Sequence, residues 1–152
     1  MSALTIPLRR RAAAFALALV ACAVVGSIAQ TQFNLDALRA LGLEIPPSVR
    51  GRTTWQDIYR FGPLYAAIVA VGLLPAFMVA GALARGQERR RLPLYLLAGG
   101  VAVWAALASA NRLAGIPVLV FATRSPLGLT CLVAGGVLAG WVYVRCTRCP
   151  AT

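Results

Sequence analysis

Four apolar runs, residues 12–29, 61–84, 92–110 and 127–144, carry no charged side chain and together fill more than half of the 152-residue chain. Each comes to about the 17–25 residues a helix needs to cross the hydrocarbon core of a bilayer. Their apolar residues occupy every face, not one stripe, which suits lipid as the surrounding solvent and not the half-wet surface of a soluble helix. The expected fold is all-α: a polytopic membrane protein with one integral domain over residues 1–152 and a bundle of four transmembrane helices. The crossings are drawn at about 12–30, 61–84, 92–110 and 127–144, with an outer loop at 31–60.

Composition supports that class. Apolar residues make up 60% and charged residues 12%, with a mean hydropathy of +0.77; soluble domains hold about half apolar and about a quarter charged residues. The net charge of +11 comes wholly from arginine, because the chain has no lysine. A pI near 11.2 would suit a nucleic-acid binder, but the arginines gather where apolar runs end, and no basic stripe leaves the membrane to follow a phosphate backbone. No nucleic-acid partner is expected. The arginines read as topology determinants that also touch anionic headgroups.

The same charges orient the chain. Arg9, Arg10 and Arg11 precede the first run, Arg85, Arg89, Arg90 and Arg91 separate the second from the third, and Arg145 and Arg148 follow the fourth. Four crossings bring all three clusters to one side, which the positive-inside rule makes the cytoplasm. Both termini are then cytoplasmic. Arginine without lysine points to a GC-rich bacterial source, so the bacterial inner membrane is the expected location. Arginines before an apolar run also describe a signal peptide, with cleavage after Ser27-Ile28-Ala29 or at the lipobox-like Leu19-Val20-Ala21-Cys22 as the alternatives. The run stays apolar through Ala23, Val24 and Val25, which favours a retained first helix.

The outer loop is the one sizeable polar segment. Asn34 is placed to cap a short amphipathic helix ending at Leu41, with Gly42 just beyond it and Phe33, Leu38 and Leu41 turned toward the membrane surface. Ile45-Pro46-Pro47-Ser48 breaks that helix. Thr54 and Asp57 resemble a capping box that starts the second crossing early. Trp55, Tyr59 and Tyr65 suit an interfacial aromatic belt, whereas Trp104 lies deeper. Gly62-Pro63 and Pro75 are expected to bend the second helix. Residues 115–121 are apolar but too short to cross, and Arg124-Ser125-Pro126 leads into the last helix.

Few side chains can do chemistry. Histidine is absent, which removes the commonest general base, haem ligand and metal-binding imidazole. No carboxylate lies inside a crossing, so proton-coupled transport is not expected. Ser109 and Thr130 lack a neighbouring base and read as helix hydrogen-bonding groups. No catalytic residue, metal site or cofactor is expected. Cys146-Thr147-Arg148-Cys149 has C-x-x-C spacing, and in length and helix number the chain is similar to the four-helix quinone-linked thiol oxidoreductases, including the vitamin K epoxide reductase family. Those families keep their redox pairs on the outer side. Here the pair falls in the cytoplasmic tail, and Cys22 and Cys131 stand alone within helices. The chain is also similar in size and helix number to the membrane-associated eicosanoid and glutathione enzymes, whose acidic-basic helix motif Glu88-Arg89-Arg90-Arg91 matches only in a short loop. Neither resemblance assigns a residue.

Small residues mark where helices approach. Gly136 and Gly140 form a GxxxG pair, which Gly128 and Gly135 extend, and Ala98, Gly99, Gly100, Ala102, Ala106 and Ala110 line the third run. Such faces serve either the chain's own bundle or a partner. Two function classes follow. The first is a non-catalytic accessory or assembly subunit that contacts other membrane subunits or a second copy. The second is a small membrane enzyme or carrier for an anionic lipid-like molecule, held at the outer leaflet by Arg52, Asp57, Arg60, Arg112 and Arg124. The first is preferred, and membrane lipids are partners in both.

Overall fold

The computed structural model describes residues 7–113 and 120–148. Within them the chain forms α1 (Leu8–Ala40), α2 (Pro47–Arg60), α3 (Gly62–Leu83), α4 (Glu88–Leu113) and α5 (Pro126–Thr147), with a 3₁₀ turn at Phe121–Arg124 before α5. No strand occurs among the described residues. Helices α1, α3, α4 and α5 are long and apolar enough to cross a membrane. Contacts run from α1 to α5, α5 to α4, α4 to α3 and α3 back to α1, a closed ring of four helices, with α2 laid against α1 and α3.

The outer loop differs from its sequence reading. Asn34 caps nothing, because α1 continues unbroken through it and the expected short helix becomes the last turns of a 33-residue rod. Leu, Ala, Gln and Arg dominate this stretch and favour helix without a break. The stop at Gly42 is real: its φ of +86 permits a Schellman turn, in which Gly42 N donates to Arg39 O (2.9 Å) and Leu43 N to Leu38 O (3.3 Å). The amphipathic helix of this region is α2, which begins at Pro47, a position where proline's missing amide costs nothing. Thr54 and Asp57 therefore lie inside α2 and do not start the second crossing. Gly62 and Pro63 open α3, while Pro75 sits within it. Tyr65 is no belt residue; it is fully buried, its ring pressed against Gly26 of α1.

Backbone contacts hold the ring together. Gly99 of α4 and Gly136 of α5 face each other so closely that a methyl carbon on either would collide with the other's carbonyl, and Gly140 meets the Tyr95 carbonyl in the same way. Gly72 of α3 lies under Ala102, where an added carbon would sit 2.8 Å from its carbonyl oxygen, and Gly135 faces Val25 and Cys22 of α1. Gly128 serves the helix entry instead, tucked against Ala122. There Ser125 caps α5 by accepting from Gly128 N at 2.9 Å. At the other end of the ring one aromatic side chain from each long helix meets its neighbours. Phe77 packs on Phe15 (6.1 Å between centroids), Tyr95 (5.3 Å) and Tyr143 (5.0 Å), and the two tyrosines stack at 5.0 Å. Each such pair adds about 0.5–1.5 kcal/mol beyond its buried area.

Candidate functional site

Gly62, the first residue of α3, lies level with Ser27, its missing Cβ position 3.3 Å from Ser27 Oγ. The part of α1 beyond Ser27 therefore extends past the start of α3. At about 1.5 Å per residue, α1 is about 50 Å long, against about 30 Å of hydrocarbon in a bilayer. The excess is covered by α2, which runs antiparallel to it and makes a helical hairpin.

Polar side chains fasten that hairpin in order along its length. Asp36 accepts from Arg50 Nη2 (2.8 Å), Gln32 Oε1 accepts from Arg50 Nε, and Gln32 Nε2 donates to Thr54 Oγ1 (3.0 Å). Nearest the ring, Thr31 Oγ1 lies 2.7 Å from Asp57 Oδ2 and 2.9 Å from the Ser27 carbonyl, two acceptors sharing one hydroxyl proton. Residue numbers rise on α1 as they fall on α2, which fixes the antiparallel register. At the hairpin's tip Leu41 is 80% exposed and Leu43 54%, with Val49 also exposed beside them. An open groove of about 500 Å³ runs along the tip between Arg39 and Pro46. Since Arg50 ties α2 to both Gln32 and Asp36, Arg50→Ala is expected to loosen the hairpin by about 1–2 kcal/mol. Hydrogen exchange should quicken in α2 and the end of α1 and stay unchanged in α4 and α5.

The residues expected to gather an anionic ligand are distributed as follows. Arg52 and Arg60 are exposed on α2, Arg52 on the same face as exposed Trp55 and Tyr59. Asp57 points the other way, into the hairpin, where Thr31 engages it. Arg112 is exposed in the last turn of α4 and Arg124 in the 3₁₀ turn. Nearby, Gln30 Oε1 accepts from Ala122 N (2.9 Å), and Asn111 Nδ2 donates to Thr123 Oγ1 (3.1 Å), tying the turn before α5 to α1 and α4.

The opposite end carries a second polar constellation that the sequence did not reveal. Arg10 of α1 donates through Nε to the Cys146 carbonyl (3.0 Å) and through Nη2 to the Arg148 carbonyl (2.7 Å). Arg91 of α4 donates through Nη2 to Thr147 Oγ1 (2.7 Å) and approaches Glu88 at 3.7 Å. Two guanidinium groups from different helices thus occupy the final carbonyls of α5, the groups a helix end leaves without partners.

Cys22 is buried, Cys131 exposed and Cys146 half-buried, all as free thiols, while Cys149 lies outside the described residues, as does most of the 115–121 segment. Among the described residues no three His, Cys, Asp or Glu side chains cluster as metal ligands would. Thr130 Oγ1 donates to the Leu127 carbonyl of its own helix at 2.8 Å. No protein-family model, curated protein or solved structure matches the chain.

Proposed function

We propose that the chain is a four-pass protein of the bacterial inner membrane, with both termini in the cytoplasm, acting as a non-catalytic accessory or assembly subunit. The observation that carries this reading is the α1–α2 hairpin. It is braced by side-chain hydrogen bonds and an ion pair, it extends past the start of α3, and it ends in exposed Leu41, Leu43 and Val49. Exposed apolar side chains held on a pre-ordered element mark a protein or membrane contact, and the length of α1 against the hydrocarbon thickness of a bilayer favours the first. The glycines of α5 support the same assignment, since Gly135, Gly136 and Gly140 face α1 and α4 of the chain itself and leave the hairpin as the surface for another subunit.

A second reading has its own support. Arg52, Trp55 and Tyr59 share one exposed face of α2, and Arg60 is exposed in its last turn where α3 begins, a combination suited to anionic headgroups at a membrane surface. One experiment separates the two. Place a photo-crosslinking residue at Leu43, extract in mild detergent and identify the products by mass spectrometry. The subunit reading expects a discrete crosslinked protein, lost when Leu41 and Leu43 become serine. A lone monomer that retains anionic lipid, and loses it in an Arg52→Gln, Arg60→Gln variant, supports the lipid reading instead.

A further inference from the structure

We propose that the arginine end of the molecule is a seat for anionic phospholipid headgroups of the leaflet on that side. The contacts of Arg10 and Arg91 with the end of α5 bring together three arginine clusters lying as far apart in sequence as residues 10 and 148. Arg10 and Arg91 are committed to carbonyls and to Thr147, but Arg9, Arg11, Arg89, Arg90 and Arg145 stay exposed around them. Glu88 is the one carboxylate among the residues of these clusters and the α3–α4 turn, and it is turned to Arg91. Positive charge gathered this densely repels itself unless anions stand among the side chains.

Phosphodiester headgroups fit that need best. The clusters lie where the four long apolar helices end, so a lipid held by its phosphate continues along exposed aliphatic side chains such as Leu83. Arg145 also lies 5.0 Å over the ring of half-exposed Trp141, one turn into the apolar part of α5. That arrangement joins a cation at headgroup height to an aromatic ring at the interface. The proposal commits to membrane phospholipid, not to free phosphate or nucleic acid, because the surface that continues from these arginines is apolar. It rests on the reading that the chain spans a bilayer.

The test uses the full chain reconstituted separately into phosphatidylglycerol-containing and pure phosphatidylcholine vesicles, then extracted and examined by native mass spectrometry for retained lipid. Phosphatidylglycerol should be retained preferentially, and high salt should weaken it. At about 1 kcal/mol per basic side chain near an anionic surface, an Arg89→Gln, Arg90→Gln, Arg145→Gln variant should bind it about a hundredfold more weakly. The Lys versions of the three should keep most of the affinity, which separates lost charge from misfolding. Equal retention of the two lipids, or displacement of phosphatidylglycerol by millimolar inorganic phosphate or an oligonucleotide, overturns the proposal. Failure to insert into either vesicle overturns the membrane reading beneath it.

Discussion

Gly136→Leu is expected to separate α4 from α5 and lower the stability of the detergent-solubilised chain by about 3 kcal/mol, the upper end of the overpacking range. What an added side chain meets there is not a flexible tip but the Gly99 carbonyl and the Val103 side chain, so relief requires moving a helix. Gly136→Ala gains about 1 kcal/mol of helix propensity and should still lose on balance. Gly99→Ala should behave likewise because the contact is reciprocal. Gly51 supplies the control: nothing lies within 4 Å of its Cβ position, so Gly51→Ala should be neutral or stabilise by about 0.5–1 kcal/mol. Thermal or SDS unfolding of the purified chain measures all four. A Gly136→Leu protein as stable as the parent would mean that α4 and α5 do not meet at these glycines.

The second large effect is expected at the arginine end. Arg10→Ala combined with Arg91→Ala removes the side-chain donors from the Cys146 and Arg148 carbonyls and from Thr147, and frees the ends of α1 and α4 from α5. Hydrogen bonds from charged donors contribute about 1.5–3 kcal/mol each, and partial exposure of both arginines reduces that figure. A combined loss of about 3 kcal/mol is expected. Because these arginines also count toward orientation, the informative comparison is Arg10→Lys with Arg91→Lys. Lysine keeps the charge that sets topology but lacks the fork by which Arg10 reaches two carbonyls at once. The lysine variant should insert with unchanged orientation and recover less than half of the lost stability. Full recovery would show that charge alone, and not the bonded geometry, holds the helix ends.

The four long helices were legible because each apolar run exceeds what a buried soluble helix needs, and their ends, apart from the far end of α1, fell within a few residues of the arginines and prolines that bound them. Arg124-Ser125-Pro126 marked the approach to α5 within a residue of its start, since proline's preference for the first helical turn is a local property. The outer segment was misread for a non-local reason. Asn34 is a good cap only if the chain before it leaves the helix, and here it does not, because Thr31, Gln32 and Asp36 gain partners on α2 only while α1 stays straight. Tyr65 misled in the same way: a tyrosine near a predicted interface suits an aromatic belt, but a glycine across from it at Gly26 makes room to bury the ring. Arg50 was legible as an outer charge and illegible as the hairpin's fastening. Arg10 and Arg91 were read for the sign of their charge alone, because nothing in the spacing of residues 10, 91 and 147 announces that they meet.

On the proposed topology, four helices cross a bilayer with the hairpin on one side and the arginine end on the other. Labelling of a Leu43→Cys chain in intact cells tests it most directly, with the native cysteines replaced by serine and a membrane-impermeant maleimide as reagent. Cys at position 43 should react without lysis, while a cysteine placed at Arg89 in the same background should react only after the membrane is opened. Protection of position 43 together with labelling at 89, or recovery of the chain in the aqueous fraction without detergent, would contradict it.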